Sequence, residues 1–236
     1  MKKPGTTSRR PVDDDRRERI LNAAYAALME RGYAGTSTLD IATRAKVSKR
    51  ELYQFFADKQ AIVTACIAAR ADRMRRPLKL PEARDPHTLA AILMTFGSTF
   101  LREVSNPAVV NLYRLAVIEA ERSPEVAQAL NTAGRDANFT ALRDLLGRAQ
   151  AAGLLQSGDP AAMASQFFAL LWGDLLMRQV LRVAGPPSPE EIDRRTKLAT
   201  GTLLKLHGRP ASPEPAEAAG LNDPAPQPDS TKGRPS

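Results

Sequence analysis

Two very short helices, predicted between residues 32 and 59, constrain the fold of this chain more than any other feature. Ser37 with Asp40, and Ser48 with Glu51, have the spacing of capping boxes, which mark helix starts. Helices of this length are marginal in water unless they pack against other elements. The preceding segment offers a partner, because its apolar residues recur at helical spacing, at Ile20, Ala23, Ala24, Ala27 and Leu28. The sequence therefore predicts a compact helical bundle near the N-terminus.

A gapless pattern of small, apolar and polar positions runs through the same segment. It is formed by Gly32, Thr36, Ser37, Ile41, Ala42, Val47, Ser48, Leu52, Tyr53, Phe56 and Lys59. In this pattern the segment resembles the DNA-binding domain of the TetR family of transcriptional regulators, a helix-turn-helix whose second helix enters the major groove. Lys46 departs from the pattern, because the family usually has glycine at this turn. A non-glycine residue in a left-handed conformation is strained by about 1 kcal/mol. We therefore expect Lys46 to lie near phosphate, or the turn to be wound differently.

The positive charge of the chain is concentrated in the part that carries this pattern. Residues 1–76 contain 17 Lys and Arg against 9 Asp and Glu, whereas residues 77–236 contain 17 of each kind. The whole net charge of +8 therefore belongs to the first third of the chain. A localised basic region is expected of a surface that contacts phosphates. The alternative is that these side chains only keep the protein soluble.

The resemblance implies a set of DNA-facing positions, at Thr38, Ser48, Lys49, Arg50, Tyr53 and Lys59. We expect Lys49 and Arg50 to read bases, because an arginine can grip guanine O6 and N7 with two hydrogen bonds. Thr38, Tyr53 and Lys59 are expected to hold phosphates and so to set the register on the duplex.

Two residues of the third helix have alternative interpretations. Tyr53 also fits a core aromatic residue whose hydroxyl reaches water. Glu51 fits either a helix cap that needs no DNA or an acceptor for cytosine N4, and the cap is favoured by its spacing from Ser48.

Helix starts recur through the rest of the chain. Five sites pair a good N-cap residue with a proline at the first helical position, at Asp85-Pro86, Asn106-Pro107, Ser123-Pro124, Asp159-Pro160 and Ser188-Pro189. Glycines that favour helix ends stand at Gly153, Gly185 and Gly208. These signals predict helices over 58–76, 86–104, 107–122, 124–152, 160–184 and 189–207, which makes nine with the first three. No window alternates as a strand does, so we expect an all-α fold, in agreement with the family's helical plan.

The chain is expected to divide into four parts. These are a flexible basic tail over 1–12, the helix-turn-helix DNA-binding domain over 13–59, a helical regulatory and dimerisation domain over 60–207, and a disordered tail over 208–236. The last part has seven prolines and no aromatic residue. It therefore has too little apolar surface to order itself.

The segment 160–184 is apolar on nearly all sides, which is more than one core contact requires. Such a surplus is typical of a subunit interface. The resemblance implies that the last two helices pack against their copies as a four-helix dimer bundle. Candidate interface residues are Phe168, Leu171, Leu175, Leu198 and Leu203. The alternative is a monomer with a deeply buried helix.

The resemblance also implies a small-molecule cavity among the helices between residues 86 and 152. Candidate lining residues are Met94, Phe96, Phe100, Trp172 and Met177. Glu119 is a candidate partner for a cationic ligand, with a solvent-facing position one residue off the apolar stripe as the alternative. Apolar stripes at helical spacing are more often core than cavity, so the residues alone do not show one.

Little in the sequence supports an enzyme. Its two histidines, His87 and His207, are far apart and lack metal-ligand spacing, and no phosphate-binding, dinucleotide-binding or nucleophile motif is present. Cys66, the one cysteine, is expected to be a small buried residue, with a redox sensor as the alternative. We expect no metal or other cofactor. A cytoplasmic location is expected, because neither a signal peptide nor a membrane-spanning run is found.

These observations predict a ligand-responsive transcriptional regulator, in the form of a repressor that a small-molecule inducer releases from a near-palindromic operator. Its expected partners are double-stranded operator DNA, a second copy of the chain and an unidentified small-molecule effector. Two alternatives stay open. One is a sequence-indifferent DNA-binding protein, and the other is a regulator controlled by a protein partner.

Overall fold

The computed structural model of the protein describes residues 11–79, 82–122 and 124–209. These residues form helices and connecting loops, and they contain no strand, so the all-α prediction is confirmed. One isolated antiparallel bridge joins Leu155 to Gly208. No helix among the described residues is long and apolar enough to cross a membrane.

The N-terminal helices are α1 (Pro11–Arg31), α2 (Thr38–Ala45), α3 (Lys49–Phe55) and α4 (Lys59–Lys79). Both predicted capping boxes are present: the Asp40 amide donates to Ser37 Oγ at 3.1 Å, and the Glu51 amide donates to Ser48 Oγ at 3.1 Å. Because these caps satisfy free amides at the helix starts, such short helices can begin where they do.

The turn between α2 and α3 keeps the left-handed conformation that usually calls for glycine. Lys46 has φ 56° and ψ 45°, and its amide reaches the carbonyls of Ala42 and Thr43. The expectation of a differently wound turn is therefore wrong, and Lys46 carries the strain of this conformation. Its side chain is exposed.

The N-terminal bundle, comprising α1–α3 and the first half of α4, encloses its own core. The buried members of this core are Ile20, Leu21, Ala23, Ala24, Ile41, Ala42, Ala45, Leu52, Phe56, Ile62 and Cys66. The last two come from α4. That helix therefore completes the bundle before it continues into the rest of the molecule, and the two short helices share a core as predicted.

The C-terminal bundle follows after α4. Its helices are α5 (Pro86–Val104), α6 (Pro107–Ile118), α7 (Glu125–Ala129), α8 (Ala137–Ala151), α9 (Pro160–Trp172), α10 (Leu175–Val180) and α11 (Pro189–His207). A π-helical stretch, Leu130–Asp136, joins α7 and α8 into one rod, where a single uninterrupted helix over 124–152 was predicted. The predicted cap Ser123 lies outside the described residues.

The predicted helix over 160–184 is interrupted at Gly173. This glycine has φ 50° and ψ −126°, a backbone conformation that side-chain-bearing residues rarely adopt. Arg195 Nη1 donates to the Trp172 carbonyl at 3.0 Å and so satisfies the end of α9. The described residues therefore contain ten helical rods rather than nine. The signal at Gly185 also misplaced the end of this region, because α10 already stops at Val180.

The main core lies between α4, α5, α8, α9 and α11. Its largest fully buried members include Phe96, Phe167, Leu89, Leu93, Leu101, Leu142 and Leu146. Gly97 allows α9 and α11 to pack closely against α5. A Cβ atom at this position would lie 3.0 Å from Thr196 Cγ2 and 3.2 Å from Leu171 Cδ1. Helices α9 and α11 thus bury their large side chains against α5 of the same chain.

The predicted tails fall mostly outside the described residues. At the C-terminal end, Gly208 and Arg209 are exceptions, because the Arg209 amide donates to the Leu154 carbonyl at 3.2 Å and Gly208 bridges Leu155. The described residues therefore include two from the stretch predicted as a tail after 207. At the other end, α1 begins at Pro11, inside the stretch predicted as a tail.

Candidate DNA-binding surface and regulatory cavity

The N-terminal tip of α3 is the most prominent polar feature of the N-terminal bundle. Ser48, Lys49 and Arg50 are all exposed there, whereas Leu52, one turn later, is fully buried and anchors the helix. Neither Lys49 nor Arg50 forms an ion pair with any residue in the described ranges. Both cationic groups can therefore meet an external partner.

Thr38 and Tyr53 extend this tip into a continuous surface. Thr38 Oγ1 and the Tyr53 hydroxyl lie 3.2 Å apart and link the start of α2 to the second half of α3. Lys49 Nζ stands 5.9 Å from the centroid of the Tyr53 ring, and 45% of Tyr53 is exposed. Tyr53 is therefore a surface residue and not a core one. We call Thr38, Ser48, Lys49, Arg50 and Tyr53 the candidate DNA-binding surface.

Glu51 is used as a helix cap. Its Oε2 accepts the Ser48 amide at 2.8 Å, and its Oε1 lies 3.8 Å from Arg16 Nη1. Hydrogen bonds from the Ser48 amide and hydroxyl lower the pKa of this carboxyl group, so it stays ionised and acceptor-only. Of its two interpretations, the structure supports the cap.

Lys59, the remaining predicted DNA-facing residue, contacts the loop after α1. Its ammonium group donates to the Tyr33 carbonyl at 2.8 Å and stands 3.9 Å from the centroid of the Tyr33 ring. These contacts tie the start of α4 to the loop after α1. The carbonyl takes one of the three donors of the ammonium group, so a phosphate contact stays geometrically open.

A cavity of about 430 Å³ lies inside the C-terminal bundle, next to α4. Its walls come from α4, α5, α6, the π-helical stretch, α8, α9 and α10. The residues that line it are Ile67, Arg70, Ala71, Met74, Phe100, Val104, Val109, Leu112, Tyr113, Leu130, Gly134, Arg135, Asn138, Phe139, Ser165, Phe168, Ala169, Trp172 and Leu176. The wall is therefore mostly apolar, with a few polar groups.

Aromatic rings form one side of this cavity. The Phe100 centroid is 5.1 Å from that of Phe168 and 5.2 Å from that of Trp172, and Phe139 stacks on Phe168 at 6.4 Å. Such spacings are typical of favourable aromatic packing. Flat apolar surfaces thus face the empty space.

Only two of the six predicted ligand residues, Phe100 and Trp172, line the cavity. Phe96 is fully buried behind Phe100, in the core. Met94 is out of phase with the inward stripe of α5, and Met177 is 61% exposed because the break at Gly173 turns α10 away. These three assignments are corrected accordingly.

Glu119, the fourth residue outside the cavity, lies at the end of α6. A Cβ atom added to Gly32 would lie 3.2 Å from Glu119 Oε1. The Glu119 carboxyl group therefore packs against the turn after α1. Its Oε2 is buried and accepts no hydrogen bond from the described residues. Both the cationic-ligand assignment and the fully solvent-facing alternative are thereby corrected.

Arg70 stands between the cavity and the N-terminal bundle. It lines the cavity, and its Cζ also lies 4.1 Å from the ring centroid of Tyr25, on α1. Its Nη1 is 3.7 Å from Glu103 Oε2, on α5. Burial raises the pKa of the Tyr25 phenol, which keeps this ring neutral beneath the guanidinium. One side chain thus contacts both bundles.

The candidate interface residues also require correction. Leu171 and Leu203 are almost completely buried inside one chain, Leu175 is 8% exposed, and Phe168 lines the cavity. Only Leu198, at 51% exposure, faces outwards. The outer faces of α9 and α11 carry instead a set of small and apolar exposed residues, which includes Ala162, Leu198, Gly201 and Leu206.

Comparison with known protein families agrees with this arrangement. The family described as bacterial regulatory proteins, tetR family, matches residues 20–66. The description AefR-like transcriptional repressor, C-terminal domain, matches residues 91–209, which is half of the chain. The HTH-type transcriptional regulator YvkB of Bacillus subtilis (strain 168) is 26% identical over 183 residues, covering 77% of this chain and 93% of that protein.

Solved structures share the fold. A TetR-family transcriptional regulator from Mesorhizobium loti superposes with a TM-score of 0.69 at 24% identity, covering 85% of this chain and 100% of that one. The Flavonoid-responsive Regulator FrrA has a TM-score of 0.65 at 28% identity, covering 84% of this chain and 100% of that one. With both family matches in the expected order along the sequence, the chain belongs to the TetR family of transcriptional regulators.

Proposed function

We propose that this regulator is a repressor that binds a near-palindromic operator as a homodimer and is released by a small-molecule inducer. The observation that carries the proposal is the double role of α4. Its residues Ile62 and Cys66 belong to the core of the N-terminal bundle, while Ile67, Ala71 and Met74 line the cavity. A change in the cavity therefore acts on the same rigid element that supports the DNA-binding surface.

The geometry of α4 suits a lever. Its 21 residues span about 30 Å at the α-helical rise. A ligand that binds better when α4 is displaced shifts the population towards that state, and its effect is limited by its differential affinity for the two states. Arg70 adds a second connection, because a ligand that moves its guanidinium also disturbs the contact with Tyr25 on α1.

The candidate DNA-binding surface supports sequence-specific recognition. Lys49 and Arg50 project from a helix tip, where they can reach base edges in the major groove. Thr38, Ser48 and Tyr53 supply hydroxyl groups next to them for phosphate oxygens. In this proposal Lys59 contributes to backbone contact while its ammonium group also holds the loop after α1.

The proposed dimer uses the outer faces of α9 and α11. Ala162 and Gly201 are small enough for close helix approach, and Leu198 and Leu206 provide apolar surface that is exposed in one chain. A two-fold pairing would present the two α3 helices to half-sites one DNA turn apart, roughly 34–36 Å.

A small-molecule inducer is supported by the size and lining of the cavity. Ligand sites in proteins are usually 300–1,000 Å³ and mostly apolar with a few polar groups, and this cavity has about 430 Å³. The structurally similar FrrA is named a flavonoid-responsive regulator. A metabolite is therefore favoured over a protein partner as the effector.

Selection of duplexes from a random pool, followed by fluorescence anisotropy on the winning sequence, tests the proposal. We expect tight binding to that duplex and weak binding to its scrambled version. Arg50→Ala should weaken specific binding by about 1–3 kcal/mol. Arg143→Ala is the matched control, because Arg143 is an exposed arginine on α8 that pairs with Asp144 at 2.8 Å. Its effect should be negligible.

Three outcomes would contradict parts of this proposal. Equal affinity for selected and scrambled duplexes would indicate a sequence-indifferent DNA-binding protein. If no compound in a lipophilic metabolite library changed operator affinity, control by a protein partner would be favoured. Tighter operator binding in the presence of ligand would show that the ligand promotes DNA binding and does not release the protein.

A further inference from the structure

We infer that the cavity takes a flat aromatic molecule, which packs along the face of α9 that borders the empty space and directs an oxygen group to the Ser165 hydroxyl. This inference rests on the proposed function, because it names the class of effector that the regulatory cavity would take. It is carried by three accessible aromatic rings on the wall and by a hydroxyl group that lies beside them.

One face of α9 borders the cavity. Ser165, Phe168, Ala169 and Trp172 all line the wall, and their spacing places them next to one another on one side of an α-helix. Ser165 and Ala169 are exposed, while Phe168 and Trp172 are half-buried. The core face of the same helix differs, because Leu171 is completely buried there. The wall face therefore offers side-chain surface that a ligand can touch.

Phe139, on α8, adds a third accessible ring to this face. It is half-buried and lines the wall, and its ring stacks on that of Phe168 at a centroid distance of 6.4 Å and an interplanar angle of 23°. Phe100 packs against the same cluster, with its centroid 5.1 Å from that of Phe168 and 5.2 Å from that of Trp172. Aromatic rings attract one another beyond the contribution of buried area. The cluster therefore favours an aromatic ligand over a saturated one of the same size.

Ser165 is the polar member of this face. Helical hydroxyl groups elsewhere in the chain bond to their own backbone, since Thr95 Oγ1 donates to the Ala91 carbonyl at 2.8 Å and Thr196 Oγ1 donates to the Ile192 carbonyl at 2.7 Å. The Ser165 hydroxyl forms no hydrogen bond with the residues that the structure describes. A serine hydroxyl can both donate and accept. It can therefore bind an oxygen group of a ligand that packs on the adjacent rings.

Other polar side chains of the wall are less suited to this role. Asn138 is almost completely buried, and its amide nitrogen already donates to the Gly134 carbonyl at 2.8 Å. Tyr113 carries a hydroxyl group whose pKa is raised by burial, so it stays neutral. It lies on α6, however, whereas Ser165 shares its helix face with two of the three rings.

The two arginines of the wall do not require an anionic ligand. Arg70 has Glu103 at 3.7 Å, and Arg135 has Asp136 at 3.0 Å. Groups of the chain thus already balance both positive charges. A neutral ligand leaves these ion pairs intact.

Equilibrium dialysis of the full chain against three probes tests this inference. The probes are 2-naphthol, its saturated counterpart decahydro-2-naphthol, and 2-methylnaphthalene, in which a methyl group replaces the hydroxyl group. We expect 2-naphthol to bind about fivefold more tightly than decahydro-2-naphthol, because only its rings can stack on Phe139, Phe168 and Trp172. Both compounds carry the same hydroxyl group, so this preference reports the ring system alone.

A first pair of variants locates the aromatic contact. Phe139→Leu keeps an apolar side chain and removes one ring, so the preference for 2-naphthol over decahydro-2-naphthol should fall to about twofold. Phe55→Leu is the matched control, because Phe55 is also a half-buried phenylalanine but belongs to the N-terminal bundle, outside the cavity wall. It should leave the preference unchanged.

A second pair locates the polar contact. Ser165→Ala removes the hydroxyl group, so it should weaken binding of 2-naphthol by about fivefold and change that of 2-methylnaphthalene by less than about twofold. Ser157→Ala is the matched control, because Ser157 is an exposed serine in the loop after α8, outside the cavity wall. A general disturbance of the cavity would affect both probes together, so their comparison isolates the hydrogen bond.

Equal or tighter binding of decahydro-2-naphthol by the unaltered protein, or no binding of 2-naphthol, would overturn the inference without any variant. An equal change for both naphthalene compounds in Ser165→Ala would also overturn it, as would a loss of 2-naphthol affinity in Tyr113→Phe in place of Ser165→Ala. Failure of the proposed function would look different. The ring preference would then persist in dialysis, while selected and scrambled duplexes bound equally well.

Discussion

The candidate DNA-binding surface and the cavity are built in opposite ways. The surface is made by side chains between Thr38 and Tyr53, and each of its two helices begins at its own capping box. The cavity is made by side chains from Ile67 to Leu176, and no single helix encloses it. The surface therefore depends on local hydrogen bonds and a few anchors, whereas the cavity depends on how distant helices pack. They are joined by α4, which belongs to both, and by the contacts of α1 with α4 and α6.

The largest expected effect tests how much the short helices depend on their anchors. Leu52 is fully buried and is the one buried residue of α3. Leu52→Ala should lower the free energy of unfolding of the N-terminal bundle by about 2–5 kcal/mol, through lost contacts and a new cavity. Urea unfolding followed by circular dichroism measures this. The neighbouring exposed residue gives the control, since Gln54→Ala should change the free energy of unfolding by less than about 0.5 kcal/mol. Similar losses for both variants would contradict the anchor role.

A second prediction concerns the contact between α1 and α4 inside the N-terminal bundle. Cys66 Sγ donates to the Leu21 carbonyl at 3.3 Å, and burial raises the pKa of this thiol from 9.0 to about 12. Between these values the unfolded chain loses the thiol proton and the folded chain keeps it. Stability is therefore fully present below about pH 9 and is lost as the pH rises towards 12, by about 1.4 kcal/mol per pH unit.

Alkaline urea unfolding of the unaltered protein and of Cys66→Ala checks this prediction. The variant lacks the thiol, so its free energy of unfolding should fall less steeply in this pH range. Parallel pH dependences would show that water reaches the thiol, and that the contact between α1 and α4 is open. The difference between the two proteins isolates the contribution of Cys66 from that of every other side chain.

A smaller effect separates local stability from DNA recognition. Ser48→Ala and Ser188→Ala each remove an N-cap, the first from α3 and the second from α11, where Ser188 Oγ accepts the Glu191 amide at 3.2 Å. Each should cost about 1 kcal/mol in the free energy of unfolding. Anisotropy with operator DNA should detect weaker binding for Ser48→Ala only. Equal loss of DNA affinity in both variants would remove the distinction between the two regions.

The smallest expected effect has the opposite sign. Lys46 has a positive φ of 56°, so Lys46→Gly should raise the free energy of unfolding by up to about 1 kcal/mol. If lysine was retained there for phosphate contact, the same variant should bind DNA more weakly despite its greater stability. Urea unfolding and anisotropy on one preparation measure both quantities. A destabilised variant would show that the turn is not strained.

The same contrast explains which features could be predicted from the sequence. The capping boxes at Ser37 and Ser48, the all-α fold and most helix starts depend on neighbouring residues, so spacing alone reveals them. The break at Gly173 was missed, because glycine inside an apolar run gives no sign of its backbone conformation until Arg195 packs against the end of α9. Leu171 and Leu203 were assigned to an interface for a related reason. Apolar periodicity shows that a helix face is buried, and it does not show whether the same chain or a second copy covers it.

Most residues of the cavity wall could not be predicted from the sequence. Phe100 and Trp172 were anticipated as large apolar residues, but Phe96 belongs to the same stripe and lies in the core. Which of two aromatic neighbours borders empty space depends on the packing of several helices. Asn138 carried one available signal, since a polar amide in the apolar face of a helix is unusual. That signal required knowledge of the helix phase, which the π-helical stretch changes.

Trp172 gives the molecule a built-in optical reporter. It is the sole tryptophan of the chain and stands on the cavity wall beside Phe100. Light absorbed by the indole is therefore emitted from the C-terminal bundle, whereas the fluorescent side chains of the N-terminal bundle are the tyrosines Tyr25, Tyr33 and Tyr53. Occupancy of the cavity can thus be followed by intrinsic emission on unlabelled protein, even while the protein sits on its duplex.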